Sequence, residues 1–568
     1  MNQISRFPKP DSGQFALGDL SLHDALVLVE KDKSISPGKR DQWRCSLKRI
    51  PMFLGRDPRV LPANLLALRF GLKELHPANL NITRKSLQNH ISNLRTAVRH
   101  VRKIQGLPTH GAPLSELWDE LYEALPSIRL RRGLSGFVRF CSANGILPDE
   151  VNDVLADRFI EHKVEAGFSK QPQALRKQVA QRWNEASNAL SSWPQSRLTV
   201  PDYRKKYRRR LEDFPSPFVE DVENYLAWIS GTVMLDRPEM ERPNKPSTVV
   251  TRRREIVGAA NAAVEAGFAL DQIDSLAALM EPACVRKVLE VYLARNGGGP
   301  KTFTIELAGK FVSIARHWCR FPEAKLEELR GYAARLGRHR KSGLTAKNLA
   351  VVRQIRQPGV WKRIFHVPET LMAIARREHN STPVRAAVKA QIAAATMILI
   401  VAPMRIGNLV SLRIGENLSR PAGPNGPIHI VIPSYDVKNN IDLEFPLPIP
   451  VTRIIDEYLL HHRVRLTDLH NDYLFPAREE GHKDQRTLSQ QIGDQVWKHA
   501  GIRMTPHQFR HAAAAIILDN DPGNYELVRR VLGHRNIQTT TNFYTGLESI
   551  DAAKHFAELA IDKGGSTS

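Results

Sequence analysis

The chain is poor in the features that mark several protein classes. Among its 568 residues there are four cysteines, Cys45, Cys141, Cys284 and Cys319, each standing alone without a CxxC pair. That scatter supports neither a zinc site nor a disulfide framework and fits a reduced, intracellular setting. The amino terminus, MNQISRFPKPDSGQF, lacks the apolar core of a signal peptide. The most apolar run, Ile392 to Met404, falls short of the ~20 residues of a membrane span and reads as a buried helix. Acidic residues are in deficit, 59 against 82 Lys and Arg, giving a formal net charge of +23.

What is present is ordinary globular composition, 42% hydrophobic and 25% charged, which excludes wholesale disorder. A folded chain this basic calls for a polyanionic partner, nucleic acid before an anionic membrane. The length suggests three or four domains at ~150 residues each.

Helical periodicity dominates the first 350 residues or so. Three stretches share a loose plan of helix, glycine-containing break, apolar-acidic connector and further helices. The turn at Asn144-Gly145-Ile146-Leu147 and that at Ala266-Gly267-Phe268-Ala269 occupy comparable positions. Basic, proline-bearing PDYRKKYRRRLEDFPSP (201–217) separates two helical regions, and a second basic stretch, Arg330 to Asn348, precedes a segment of different character. The expected division is a helical module over 1–110, a second helical module with the basic linker over 111–215, a helical domain over 216–345, and a mixed domain over 346–568.

In the last segment Ser381-Thr382-Pro383 supplies a helix start. IHIVIP and DLEFPLPI read as strands flanking SYDVKNN, whose Asn439-Asn440 favours a tight turn. VTRIIDEYLLHH, QQIGDQVWKHAG, HQFRHAAAAIILD and YELVRRVLGH read as helices, with Gly501 and Gly533 as C-caps. The adjacent His461-His462 pair diverges on its helix and reads as surface. The fold class is therefore mainly α and multidomain, ending in an α+β domain with a small antiparallel sheet.

That domain carries polar residues its fold alone does not need. Arg405 ends the apolar helix in APMRIGNLVSL, and Lys438 lies near the hairpin tip. His507 and Arg510, three apart, share a helix face. His534 follows Gly533, and Tyr544 comes ten residues later in TTTNFYTG. Singly, each is a common structural residue. In this order, Arg, Lys, His-x-x-Arg, Gly-His and Tyr resemble the tyrosine recombinase (phage integrase) family. HQFRHAAAAIILD resembles that family's helix down to His511 after the second arginine, LGHRNIQTTTNFY its closing motif, and Met404, Leu412 and Glu416 match the surroundings of its first arginine. The resemblance runs in detail from about Val367 to Leu559. Two positions depart from it: Asn408 stands where the family usually has an acidic residue, and Pro403-Met404 replaces a glycine-leucine pair.

The chemistry suits those residue types. A phenol can attack phosphorus and form a covalent phosphotyrosine. Its ordinary pKa of about 10 makes nearby positive charge an expected aid to deprotonation. Two guanidinium forks match non-bridging phosphate oxygens. The resemblance assigns Lys438 the protonation of the departing 5′ oxygen, His507 an orienting or proton-accepting place near the tyrosine, and His534 a hydrogen bond to the phosphate. It implies site-specific DNA recombination through a 3′-phosphotyrosine, without metal, cofactor or ATP. Double-stranded DNA and a homo- or hetero-tetramer on paired sites, with partner recombinases in some systems, are the implied partners, in the cytoplasm at the bacterial nucleoid and away from any membrane. It further implies that Ser216 to Gly337 is the core-binding half of a DNA clamp, and that DAAKHFAELAI is a short amphipathic helix docking on a neighbouring subunit. The alternatives are a weakly catalytic DNA-binding or accessory protein that keeps the fold, and a type IB topoisomerase or telomere resolvase.

Overall fold

The computed structural model describes residues 20–102, 113–166, 171–203, 209–239, 242–340, 342–437, 441–467 and 470–564. Lys438, Asn439 and Asn440 of the hairpin, and 204–208 of the basic linker, lie outside the described residues. The chain divides into two compact units, residues 202–342 and residues 1–201 together with 343–568.

The 202–342 unit is helical. Ser216–Ile229, Pro246–Glu265, Pro282–Arg295, Thr302–His317 and Glu323–Gly337 surround one apolar core. Trp318 anchors it: its indole Nε1 donates to Asp221 at 2.7 Å, and the Arg237 guanidinium lies 3.5 Å over its ring. This core takes in Leu211 and Phe214, which the sequence reading left in the basic linker.

The other unit holds four further cores among the described residues. One gathers Trp43, Leu47, Leu68 and Leu94 within 20–102; a second gathers Trp118, Phe137, Trp183 and Trp193 within 113–198. The glycine breaks paired in the sequence share local geometry. Gly145 and Gly267 both have positive φ, and each is followed by a one-turn 3-10 helix whose third residue reaches back to a backbone N–H. Glu150 accepts from Leu147 N at 2.7 Å, and Gln272 from Ala269 N at 3.1 Å.

The last domain is built on Pro383–Val401, whose proline sits in the first turn and whose apolar side chains pack on all sides. Among the described residues it is the one helix long and apolar enough to cross a membrane, and it is the core helix of this domain. A three-stranded antiparallel sheet, β1 (Leu418–Ser419), β2 (His429–Ile432) and β3 (Leu443–Pro446), packs beside it in that order. The 449–457 helix runs into a π-helical turn, Tyr458–His462. There the surface reading of the histidine pair needs correction: His461 is exposed, but His462 is buried with its ring against His379. His462 lies four residues after Tyr458 and seven after Ile455, both buried, so it shares their inward helix face. Gln485–Ala500, Pro506–Asn520, Tyr525–Leu532 and Ile537–Gly564 complete the domain. The last is one continuous helix carrying Tyr544 and the terminal segment together, rather than a separate short helix after the tyrosine. The fold is thus mainly α, closing on a mixed α+β domain.

Candidate active site

Arg405 does not end the apolar helix. That helix stops at Val401, and Arg405 is the extended N-cap residue of the short Ile406–Val410 helix. The intervening turn, held by Met404 N–H to the Ala402 carbonyl at 2.7 Å, aims the Arg405 side chain into a cleft. The guanidinium is half-buried, has no hydrogen-bond partner among the described residues, and has its pKa lowered by burial. Three residues on, Asn408 is buried and its Nδ2 has no hydrogen-bond partner.

Arg510 is 3% exposed and differently placed. Its Nη1 donates to the Pro403 carbonyl at 2.8 Å, and its Nη2 to the Leu532 carbonyl at 2.6 Å and to His534 Nε2 at 3.3 Å. It therefore caps the C-terminal end of Tyr525–Leu532 while tethering the turn that presents Arg405. Burial first, then the neighbouring Arg405, pulls its pKa down to about 10, so it stays cationic near neutral pH.

His534 follows a joint that favours glycine. Gly533 has φ +60°, and a Cβ there would lie 2.5 Å from Leu443 Cδ2 on β3. Because Arg510 has only donors, His534 Nε2 must accept, so Nδ1 carries the proton and donates to Thr540 Oγ1 at 2.9 Å. Burial, then Arg510 and Arg405, pushes its pKa down to about 4. A neutral His534 held this way presents no free donor to an incoming anion until Arg510 shifts. His507 opens to solvent at the start of the 506–520 helix, with its pKa lowered by burial, Arg510 and Arg405.

Tyr544 is 2% exposed, on the first turns of the last helix. Its Oη lies 2.9 Å from His511 Nδ1. The expectation that surrounding cations ease its ionisation is corrected: Arg510 does act in that direction, but burial dominates and pushes the phenol up to about 12. His511, identified in the sequence only as part of a motif, is itself buried, and burial with its cationic neighbours pushes it down to about 4. The His507 ring packs edge-on against it, centroids 5.0 Å apart.

Arg405, His507, Arg510, His534 and Tyr544 line one cleft of about 720 Å³, with Arg529 and Arg535 at its margin. Five of the six residues singled out in the sequence are thus brought together, while Lys438 lies outside the described residues. Residues absent from the sequence-based set are His511 and Asn348; the latter, at the end of the basic Arg330 to Asn348 stretch, sits on the 346–355 helix and touches His511. Among the described residues no group of three or more His, Cys, Asp or Glu side chains converges as a metal site would require. Chemically, the cleft offers a buried phenol beside two arginines, one of them with its fork unpaired among the described residues, a setting that suits an anionic ester.

Residues 366–549 match the model of the phage integrase family. Transposase A of transposon Tn554 from Staphylococcus aureus is 26% identical over 168 residues, 28% of this chain and 45% of its own, so the chain spans less than half of that relative. Tyrosine recombinase XerA from Pyrococcus furiosus is 26% identical over 275 residues, covering 45% of this chain and 89% of the relative. Among solved structures, the XerH recombinase bound to its difH substrate aligns over 59% of this chain and 94% of its own, at 15% identity and a TM-score of 0.30. Over residues 366–549 the chain is thus similar to the phage integrase, or tyrosine recombinase, family.

Proposed function

We propose that this protein is a site-specific DNA recombinase in which Tyr544 cleaves and rejoins DNA strands. The observation that carries this reading is the shared cleft: the Tyr544 hydroxyl, the unpaired Arg405 fork and the anchored Arg510 open onto one space with His507 and His534. Recombination in general is supported by the family match and by relatives that are a transposase and a recombinase. In the proposed step Tyr544 Oη attacks the scissile phosphorus. The bond to the tyrosine oxygen forms, the bond to the 5′ oxygen breaks, and that oxygen takes a proton, from Lys438 by family resemblance. The phosphodiester is conserved as a phosphotyrosine, so attack by another 5′ hydroxyl reverses the step without ATP. Arg405 and Arg510 would hold the two non-bridging oxygens, where preorganised donors contribute about 2.7–4 kcal/mol each. Double-stranded DNA is the proposed partner, in a tetramer over paired sites; metal and cofactor have no part in it.

A second reading, a DNA-binding protein of little catalytic power, is favoured by Asn408, which offers Arg405 no compensating charge. A nicked suicide duplex carrying the recombination site separates the two. The proposal expects an SDS-resistant protein–DNA adduct that disappears in Tyr544→Phe. An equal adduct in that variant would sink the nucleophile assignment, and no adduct with the native chain would favour the second reading.

A further inference from the structure

A directed chain of hydrogen bonds runs from a helix cap to the tyrosine oxygen. It starts at Thr505, whose backbone N–H lies 2.8 Å from Gln508 Oε1. A backbone N–H only donates, so the amide oxygen of Gln508 must face it, and Gln508 Nε2 must point the other way. That nitrogen lies 3.1 Å from Asn348, which must therefore present its Oδ1. Asn348 Nδ2 then donates to His511 Nε2 at 3.1 Å. With Nε2 accepting, the single proton of the neutral ring resides on Nδ1, and Nδ1–H donates to Tyr544 Oη at 2.9 Å. Each amide and the imidazole are thus oriented by donor and acceptor identity alone, back to a peptide group that cannot flip. Gln508, His511 and Tyr544 are 2%, 5% and 2% exposed, and Asn348 between them is half-buried, so the end of the chain at the tyrosine is shielded from solvent.

We propose that Asn348 and Gln508 are positioning residues that hold His511 in its Nδ1–H tautomer, so that His511 donates to the Tyr544 oxygen as it becomes a nucleophile. His511 then acts on the reacting atom as a hydrogen-bond donor and not as the base. Because Nδ1 already carries a hydrogen, the phenolic hydrogen points away from it, into the cleft that His507 also lines, and leaves on that side to His507, the proton acceptor that the resemblance implies. The developing phenolate keeps a fixed, buried donor, which compensates for the burial that disfavours its charge. His511 is neutral near pH 7, being pushed down to about 4, so tautomer rather than charge decides what it offers. This inference rests on the nucleophile reading above.

Gln508→Glu tests it with nearly unchanged shape. A carboxylate still accepts from Thr505 N–H and remains a favourable third residue of a capping box, so the helix keeps its start. Facing Asn348, however, it offers only an acceptor. The Asn348 amide must rotate, its oxygen must meet His511 Nε2–H, and Nδ1 loses its proton. Ring ¹⁵N spectra of histidine-labelled full-length protein, with His511→Asn to identify the signal, read the tautomer without DNA. The native chain should show protonated Nδ1, and Gln508→Glu protonated Nε2. On the suicide duplex at saturating DNA, Gln508→Glu and Asn348→Ala should form adduct at least about tenfold more slowly, with DNA affinity unchanged. A native Nε2–H tautomer overturns the proposal, as does a Gln508→Glu variant that switches tautomer yet cleaves at the native rate. Failure of the native chain to form adduct instead overturns the nucleophile reading, while the spectra still decide the tautomer.

Discussion

Arg510 and Arg405 are the same residue type in one cleft, set to different work by their surroundings. Arg510 commits donors to two backbone carbonyls, whereas Arg405 keeps its fork unpaired among the described residues. Lysine at 510 keeps the charge but cannot span Pro403, Leu532 and a phosphate at once. Arg510→Lys should therefore reduce adduct formation by on the order of 10²-fold or more and lower the urea midpoint, since a stranded carbonyl costs about 1–3 kcal/mol. Native-like adduct yield would remove Arg510 from the machinery. Asn408 occupies the third position of its helix, where an acidic side chain can reach back to the N-cap and complement the dipole, and its buried amide nitrogen lacks a partner. Asn408→Asp is expected to raise stability by about 1 kcal/mol in urea unfolding; a lower midpoint would show that the site rejects a carboxylate. His511 gives a pH signature. Its folded pKa of about 4 lies below the ordinary 6.5, so the unfolded chain binds the proton more tightly. Stability is complete above pH 6.5 and is lost as pH falls from 6.5 towards 4, by on the order of 2–3 kcal/mol from this group. His534 adds less, because it is partly open to solvent. Urea midpoints at pH 7.5 and 5.0 should differ less in His511→Asn than in the native chain.

At the scale of elements, the site depends on joints more than on helices. Gly533 lets the 525–532 helix end in a left-handed residue pressed on Leu443 of β3, and that contact fixes where His534 begins. Gly533→Ala combines an unfavourable φ with a steric overlap, so a loss of about 1–3 kcal/mol is expected. Leu443→Ala should relieve the overlap but not the backbone strain, so the double variant should recover only part of the loss in a thermodynamic cycle. Full additivity of the two single losses would show that the contact does not couple them. Sequence patterns located these elements well: the 383–401 helix, both hairpin strands and the glycine caps follow from apolar periodicity and local turn chemistry. Patterns misplaced Arg405 by one element, because the apolar run continues to Met404 after the helix has ended at Val401. The surface reading of the histidine pair also overlooked that His462 follows Ile455 by seven residues and so falls on the apolar face.

At the scale of the molecule, the first helical module is packed on the last domain. Asn79 Nδ2 donates to the Gly501 carbonyl at 2.9 Å, its Oδ1 accepts from Arg363 at 3.1 Å, and His76 packs edge-on against Trp497 at 5.0 Å. Arg503 reaches Glu74 at 3.1 Å. Asn79→Ala leaves the Gly501 carbonyl and an arginine donor short of a partner, so unfolding free energy should fall by about 1–2 kcal/mol. An unchanged urea midpoint would mean that this packing adds nothing to stability. The charge of +23 bears on binding rather than on fold. For the proposed DNA partner, log affinity should fall linearly with log salt, by roughly 0.9 for each phosphate contacted, as titration at several salt concentrations would measure.

By itself the sequence determined the excess of positive charge, the mixed last domain and the order of its polar residues, because charge, periodicity and motif spacing are local or additive properties of a chain. Tertiary structure alone decided which of those residues share a cleft and in what state. The phenol of Tyr544 is pushed up by burial, His534 is turned to accept from Arg510, and His511 is oriented through Asn348, a residue 163 positions away. Burial and donor–acceptor pairing depend on neighbours that only folding brings together, so no reading along the chain contains them.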